Sequence, residues 1–255
     1  MKTFLLFLLL SVSAHAGLPV DIVFDIDLTI VSLINDRPGG DLLADPANPT
    51  RNIVNIHHGE MDENYRVFEG VTDLMEKLEK EQRAGRVRVS FFSGGTEARN
   101  EALLRSIKLK NGTSLWDLAP GRVLGRNSMT PTGLKPPARI REQFKKDLTK
   151  INPDLSDVII IDDIKEFVPD SQRGNMLWIG EEFPFPDRTP IPPTTVDPEI
   201  LARERNKYQW ISGQIDRALT QRFTTGGSFS SIIQGTSELR PTCNMYRILS
   251  DLFTK

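Results

Sequence analysis

The stretch VDIVFDIDLTI, residues 20–30, sets the reading of everything around it. A short apolar strand runs into two aspartates spaced one apart, Asp25 and Asp27, and then into Thr29. Side chains of a strand alternate between faces, so Asp25 and Asp27 would point the same way with Ile26 opposite. Two carboxylates on one side of a strand end repel each other unless something positive lies between them. A hard divalent cation with oxygen ligands, Mg²⁺ above all beside phosphate, would settle that conflict. A strand ending in a polar turn accounts for the same residues with no chemistry at all. A lone D-x-D motif does not separate these readings, so the other segments must.

Upstream, Lys2 is followed by an almost pure Leu/Phe run at residues 4–10, then Ser11, Ser13 and Ala14-His15-Ala16. A positive start, a short apolar run and a small-x-small site make a secretory signal peptide over residues 1–16, with a mature chain from about Gly17. The single cysteine, Cys243, excludes an internal disulfide framework and a cysteine-built zinc site. Export without disulfides fits a bacterial periplasm or secretion. The charge of −2, with 38% hydrophobic and 26% charged residues, describes an ordinary globular chain without the basic excess of a nucleic-acid binder.

Downstream, residues 32–65 read as irregular, with 53–56 a short strand that would make half of a flap, and His57-His58 solvated or at a substrate rim. Val71, Leu74, Met75 and Leu78 have helical spacing, and Gly85 ends the helix. Residues 86–92 form a strand that delivers Ser93-Gly94-Gly95. Thr96 caps a second helix with Ala98, Ala102, Leu103 and Ile107 as its apolar face. A third strand is expected at 122–125, and Ile140, Phe144 and Leu148 line a helix opened by Pro136-Pro137. The run 157–161 is a buried strand delivering Asp162-Asp163, and 176–179 is a fifth.

Strands alternating with helices imply an α/β fold with a mostly parallel central sheet covered on both faces. Ligands of such sheets sit at the carboxyl ends of the strands, where Asp25, Asp27, Ser93 and Asp162-Asp163 would converge. A catalytic domain over 17–182 is expected, followed over 183–255 by a proline-rich strap and C-terminal helices packed on the core. The stripes are Leu201, Tyr208, Ile211, Ile215 and Leu219, then Met245, Ile248, Leu249, Leu252 and Phe253.

If the strand ends meet, Asp25 can attack a phosphoryl group as a nucleophile. Asp27 can protonate the leaving oxygen and then activate the water that cleaves the intermediate. The Ser93 hydroxyl and the amides of Gly94 and Gly95 can hold phosphate oxygens beside a helix N-terminus. A lysine is still wanted to balance charge in the transition state.

D-x-D-x-T after one strand, serine after a second, then lysine, then Asp-Asp after another resembles the phosphatases of the haloacid dehalogenase (HAD) superfamily. FKKDLTKINPDLSDVIIIDDI, residues 144–164, is similar to the lysine-to-acid segment of the FCP/SCP-type (NLI-interacting-factor) phosphatases. The resemblance covers about residues 19–179 and implies a HAD-like Rossmannoid three-layer fold with a small or absent cap. It implies Asp25 as nucleophile and Mg²⁺ ligand, and Asp27 as acid/base whose backbone carbonyl also binds the metal. Thr29 matches the motif threonine, Ser93 the phosphate-binding hydroxyl and Lys146 the charge-balancing lysine. Asp163 matches the third metal ligand, and Asp162 supports it or a metal-bound water.

The lysine has alternatives. A helix continuing from Phe144 to Leu148 would point Lys146 away from the buried face. Either that helix ends early, or Lys145 or Lys135 serves; Lys135, in Gly133-Leu134-Lys135-Pro136, resembles the lysine box of other HAD branches. Ile26, Leu28 and Ile30 depart from the D-L-D-E-T-L of FCP/SCP-type members. An exported chain would not meet the polymerase tails on which many of those act, so the chemistry transfers and the substrate does not. The expected partner is a phosphate ester, macromolecular substrates included, because no large lid is evident. The rival readings are a non-catalytic binding or scaffold protein on the same fold, and a nucleotidase or polynucleotide-end phosphatase.

Overall fold

The computed structural model describes residues 18–34, 52–179 and 198–235. The expected signal segment, the strap at 183–197 and the stripe from Met245 to Phe253 fall outside the described residues. In chain order the elements are β1 (Val20–Phe24), β2 (Val31–Ile34), β3 (Ile53–His58), β4 (Met61–Val67), α1 (Val71–Arg83), β5 (Val87–Phe92), α2 (Glu97–Ser106) and α3 (Leu115–Leu118). There follow β6 (Val123–Leu124), β7 (Thr130–Pro131), α4 (Ile140–Gln143), β8 (Phe144–Lys145), β9 (Val158–Asp162), β10 (Met176–Trp178), α5 (Pro198–Thr225) and α6 (Phe229–Gly235).

Every residue of β1 is buried, as suits a strand with neighbours on both sides. The main sheet has the order β10-β9-β1-β5-β6, and all its pairs are parallel. Strand alternation divides the core in two. Val20, Ile22 and Phe24 of β1 join Ile159 and Ile161 of β9 on one face, while Val23 joins Val158 and Ile160 on the other.

Helices cover the first face: Leu74, Met75 and Leu78 of α1, Leu103 and Leu104 of α2, and Tyr208, Ile211 and Ile215 of α5. The second face is covered by Met129, Leu148 and Val168, with half-buried Phe144, Ile151 and Phe167 packed against them, all from short turns, loops and the two-residue strand β8. Among the described residues the sheet therefore has two covers, of which one is made of long helices.

Three local expectations change. Residues 32–65 are not simply irregular, because β2, β4 and β3 form an antiparallel sheet in that order, turned at Gly59-Glu60. On α2, Ala98 is exposed, and the buried face is Arg99, Asn100, Leu103 and Leu104. The helix through Ile140, Phe144 and Leu148 is not formed: α4 makes one turn and stops at Gln143, and Ile140 is exposed. Phe144 and Lys145 instead pair with β7, where ladder bonds and the burial of Phe144 outweigh a marginal helix.

Helix α5 is seated against the start of α1. A Cβ on Gly70, the N-cap of α1, would lie 2.9 Å from Cβ of Tyr208, and Gly70 also has φ +84°. Both facts reserve the position for glycine. At the amino end of the sheet, fully buried Asp21 accepts hydrogen bonds from Arg88, Arg122 and Asn152. These ties join β1, β5, β6 and the turn after β8 at the end opposite the site.

Candidate active site

Asp25 follows β1 directly, and its amide continues the ladder by donating to the Ile161 carbonyl at 2.9 Å. The side chain is buried, and its Oδ1 accepts from Nζ of Lys146 at 2.6 Å. The same ammonium donates to Oδ2 of Asp162 at 2.8 Å and lies 4.9 Å from the centre of the Phe167 ring. Lys146 is fully buried. Its inward course follows from the early end of α4. In the extended run that replaces the helix, neighbours point to opposite sides. Lys145 turns outward to the carbonyls of Arg141 and Glu166, while Lys146 turns in. Its amide is fixed by the Phe167 carbonyl at 2.7 Å.

Burial opposes the charge on Lys146, but the carboxylates of Asp162 and Asp25 outweigh it and raise its pKa. Burial acts on Asp25 in the other sense. Desolvation, with the nearby charges of Asp162 and Asp27, pushes its pKa up to about 7 against the pull of Lys146.

Beyond Asp25 the chain leaves the strand geometry. Leu28 has φ 58°, a left-handed conformation uncommon outside glycine, and the amides of Ile30 and Val31 both donate to the Ile26 carbonyl. The tight turn buries Ile26 and Thr29 and leaves Asp27 half-exposed. Asp27 accordingly has partners different from those of Asp25. Oγ of Ser93 donates to it at 3.1 Å, and Arg99 grips both of its oxygens, Nη1 to Oδ2 at 3.0 Å and Nη2 to Oδ1.

The segment after β5 turns sharply here. The Gly95 amide donates to Oγ of Ser93 at 3.0 Å, and a Cβ on Gly95 would come within 2.5 Å of Oδ1 of Asn100, so any larger residue would have to displace the Asn100 side chain. Gly94 has room for a side chain; its carbonyl accepts from Nε of Arg126 at 2.8 Å.

The structure brings these residues together as two neighbouring bonded sets, Asp25, Lys146 and Asp162 in one and Asp27 and Ser93 in the other, with the charge of Asp27 close enough to act on Asp25. Thr29 is fully buried and its Oγ1 has no hydrogen-bond partner among the described residues; its carbonyl accepts from the Tyr208 hydroxyl at 2.6 Å. Lys135 is exposed and is not a partner of Asp25 or Asp162, whereas Lys146 is bonded to both. His57 pairs with Asp62 and His58 with Glu63, each at 2.8 Å, on the β3–β4 hairpin.

Asp25, Asp162 and Asp163 each offer a carboxylate oxygen within 4.8 Å of the others, and all three are buried. Three hard oxygen donors fit a hard divalent cation. The Asp27 carboxylate is outside this cluster, held by Arg99. Asp162 is tied on both oxygens, Oδ2 by Lys146 and Oδ1 by the Ile164 amide at 2.8 Å, so it also orients the lysine.

Sequence reasoning missed Arg99, Tyr65 and Lys207, and gave Tyr208 only as part of an apolar stripe. Arg99 shares the buried face of α2 with Leu103, one turn on, which was the signal available in the sequence. Lys207 and Tyr208 of α5 donate to the carbonyls of Leu28 and Thr29 at 3.1 and 2.6 Å, clamping the turn that carries Asp27. Nothing near residue 28 announces that contact.

No family model matches the chain, and no curated protein matches it. Among solved structures it is similar to Fcp1, an essential RNA polymerase II CTD phosphatase, at 16% identity and TM-score 0.44, covering 92% of this chain and 62% of that one. A structure of fission yeast Fcp1 bound to beryllium fluoride is similar at 16% identity and TM-score 0.43, covering 92% of this chain and 66% of that one. The chain thus spans less than two thirds of the length of either.

Proposed function

We propose that the chain is a Mg²⁺-dependent phosphomonoesterase of the HAD type, working through a phosphoryl group carried on Asp25. The observation that carries this reading is the buried ammonium of Lys146 between Asp25 and Asp162, at 2.6 and 2.8 Å, with Asp27 and Ser93 beside it. An attacking carboxylate, a fixed positive charge, an acid/base and a phosphate-loop hydroxyl are the parts phosphoryl transfer requires.

In the first half-reaction an oxygen of Asp25 attacks phosphorus, the ester P–O bond breaks, and the leaving oxygen takes a proton from Asp27. In the second, Asp27 takes a proton from water, whose oxygen attacks phosphorus; the bond to Asp25 breaks and inorganic phosphate leaves. Lys146 keeps Asp25 oriented and offsets the charge that gathers on the transferring group. Ser93 and the neighbouring amides receive the phosphate oxygens at the start of α2. Asp25, Asp162 and Asp163 would hold Mg²⁺, which when bound offsets the repulsion between carboxylate and phosphate.

The substrate belongs to the phosphate monoesters, and the small sheet of β2, β4 and β3 leaves macromolecular esters among them. The N-terminal pattern of Lys2, a Leu/Phe run and Ala14-His15-Ala16 supports export of the full chain. N-terminal sequencing of the exported protein should then begin near Gly17; a start at Met1 opposes export. The enzymatic reading is tested by phosphate release from an aryl phosphate. Release should need Mg²⁺, stop with EDTA and be lost in Asp25→Asn; robust release by Asp25→Asn would sink it.

A further inference from the structure

We propose that Arg99 is a positioning residue for Asp27, and that Tyr65 and Glu63 of the β2-β4-β3 sheet brace it, so that this sheet helps to set the acid/base. The inference rests on the phosphatase reading above and adds to it a residue outside the D-x-D, serine, lysine and Asp-Asp set.

Asp27 needs such a device. Its side chain is 47% exposed and follows a strand that has already ended, so packing does not fix its carboxylate. Arg99 is the opposite case, with a side chain only 9% exposed. The guanidinium is held at two further donors, Nε giving to the Tyr65 hydroxyl at 3.0 Å and Nη1 also to Oδ1 of Asn100 at 3.1 Å. It also lies 4.8 Å from the centre of the Tyr65 ring. A planar fork fixed at its base presents two parallel donors to one carboxylate, which specifies direction as well as charge. Lysine offers a point charge and no fork.

The brace continues outward. The Tyr65 hydroxyl donates to Oε2 of Glu63 at 2.6 Å, and the same oxygen is bonded to Nε2 of His58 at 2.8 Å. Tyr65 is buried and Glu63 partly so. A continuous line of hydrogen bonds therefore runs from the β3–β4 hairpin to Asp27. The Ser93 hydroxyl closes the other side of that carboxylate, which aims it at the phosphate loop.

The test compares wild type, Arg99→Lys, Arg99→Gln and Tyr65→Phe with an aryl phosphate and Mg²⁺, reading kcat, KM and phosphoenzyme trapped by acid quench. A misdirected acid/base slows turnover after substrate has bound. In both Arg99 variants kcat should fall by about 10²-fold, toward the usual share of acid–base help, with KM unchanged where both steps slow alike and lowered where breakdown slows more and phosphoenzyme accumulates. Tyr65→Phe keeps the fork and loosens its base, so kcat should fall by only a few-fold. Circular dichroism and melting curves identify the variants that fold, and any one that folds decides the matter. Wild-type kcat in a folded Arg99 variant overturns the inference. So does a raised KM at unchanged kcat, which would make Arg99 a substrate-binding group. An inactive wild type overturns the phosphatase reading and this inference with it; an active wild type matched by Arg99→Gln overturns the inference alone.

Discussion

At Lys146 a single ammonium decides whether two buried carboxylates are tolerable. Replacing it with methionine leaves Asp25 and Asp162 facing each other with no positive charge between them. Breaking a buried ion pair in this way costs about 3–5 kcal/mol. Lys146→Met should therefore lower the denaturation midpoint markedly and abolish phosphate release together. Asp25 gives a second expectation at this scale. Its folded pKa is raised from 3.8 to about 7, so between those values the folded protein holds a proton that the unfolded chain has lost. Its contribution to stability is thus complete below the unfolded value and is lost as pH rises through about 7. Metal-free protein should melt at a lower temperature at pH 8 than at pH 5, and Asp25→Asn should flatten that difference. An equal slope in the variant would assign the dependence elsewhere. Asp25, Ser93 and Asp162 were legible because each stands at the end of an apolar run whose period marks it as a strand. Arg99 was not, because an arginine two residues into a helix ordinarily faces solvent, and only the partner carboxylate on another element turns it inward.

At the scale of elements, the sequence signal and the structure part company where tertiary pairing competes with local spacing. Ile140, Phe144 and Leu148 are spaced as a helix, but β7 offers a ladder and the carboxylates offer Lys146 a partner, so the chain runs extended there. That departure is what places the lysine. Residues 53–67 were half-legible: one strand showed, while its partner MDENYRV carries polar residues at most positions and has a plain apolar signal only toward its end. Helix α5 was legible as an apolar stripe, and its clamp on the turn at Leu28 and Thr29 was not, because contacts 179 positions apart leave no local trace. The clamp predicts that Tyr208→Phe, which strands the buried Thr29 carbonyl, costs about 1–3 kcal/mol in urea denaturation. Gly70→Ala should be destabilising as well, by more than the roughly 1 kcal/mol of an ordinary glycine replacement, since it meets both the positive φ and Tyr208. A neutral result for both would mean that α5 does not press on this loop.

For the whole molecule, the order β10-β9-β1-β5-β6 puts the ends of β9, β1 and β5 side by side, and with them Asp162, Asp25 and Ser93. The convergence at the carboxyl ends followed from the alternation of strands and helices; the strand order did not. The uneven covering of the sheet did not, because turns that pack as a layer have no period to read. The consequence is functional: helices fix one face and the D-x-D turn, while the irregular face delivers Lys146 from a segment free to follow the site. Mg²⁺ should therefore raise the melting temperature of wild type, and do so less in Asp163→Asn, where one of the three clustered oxygens is weakened as a ligand. The central claim is that phosphate passes through Asp25. Its most direct test is to mix the Asp27→Asn protein with an aryl phosphate and Mg²⁺, quench in acid and map the modified residue by mass spectrometry. One phosphoryl group on Asp25, absent when Asp25 is itself replaced by asparagine, is the expected result; a phosphoryl group on another residue, or undiminished phosphate release by Asp25→Asn, would contradict the account.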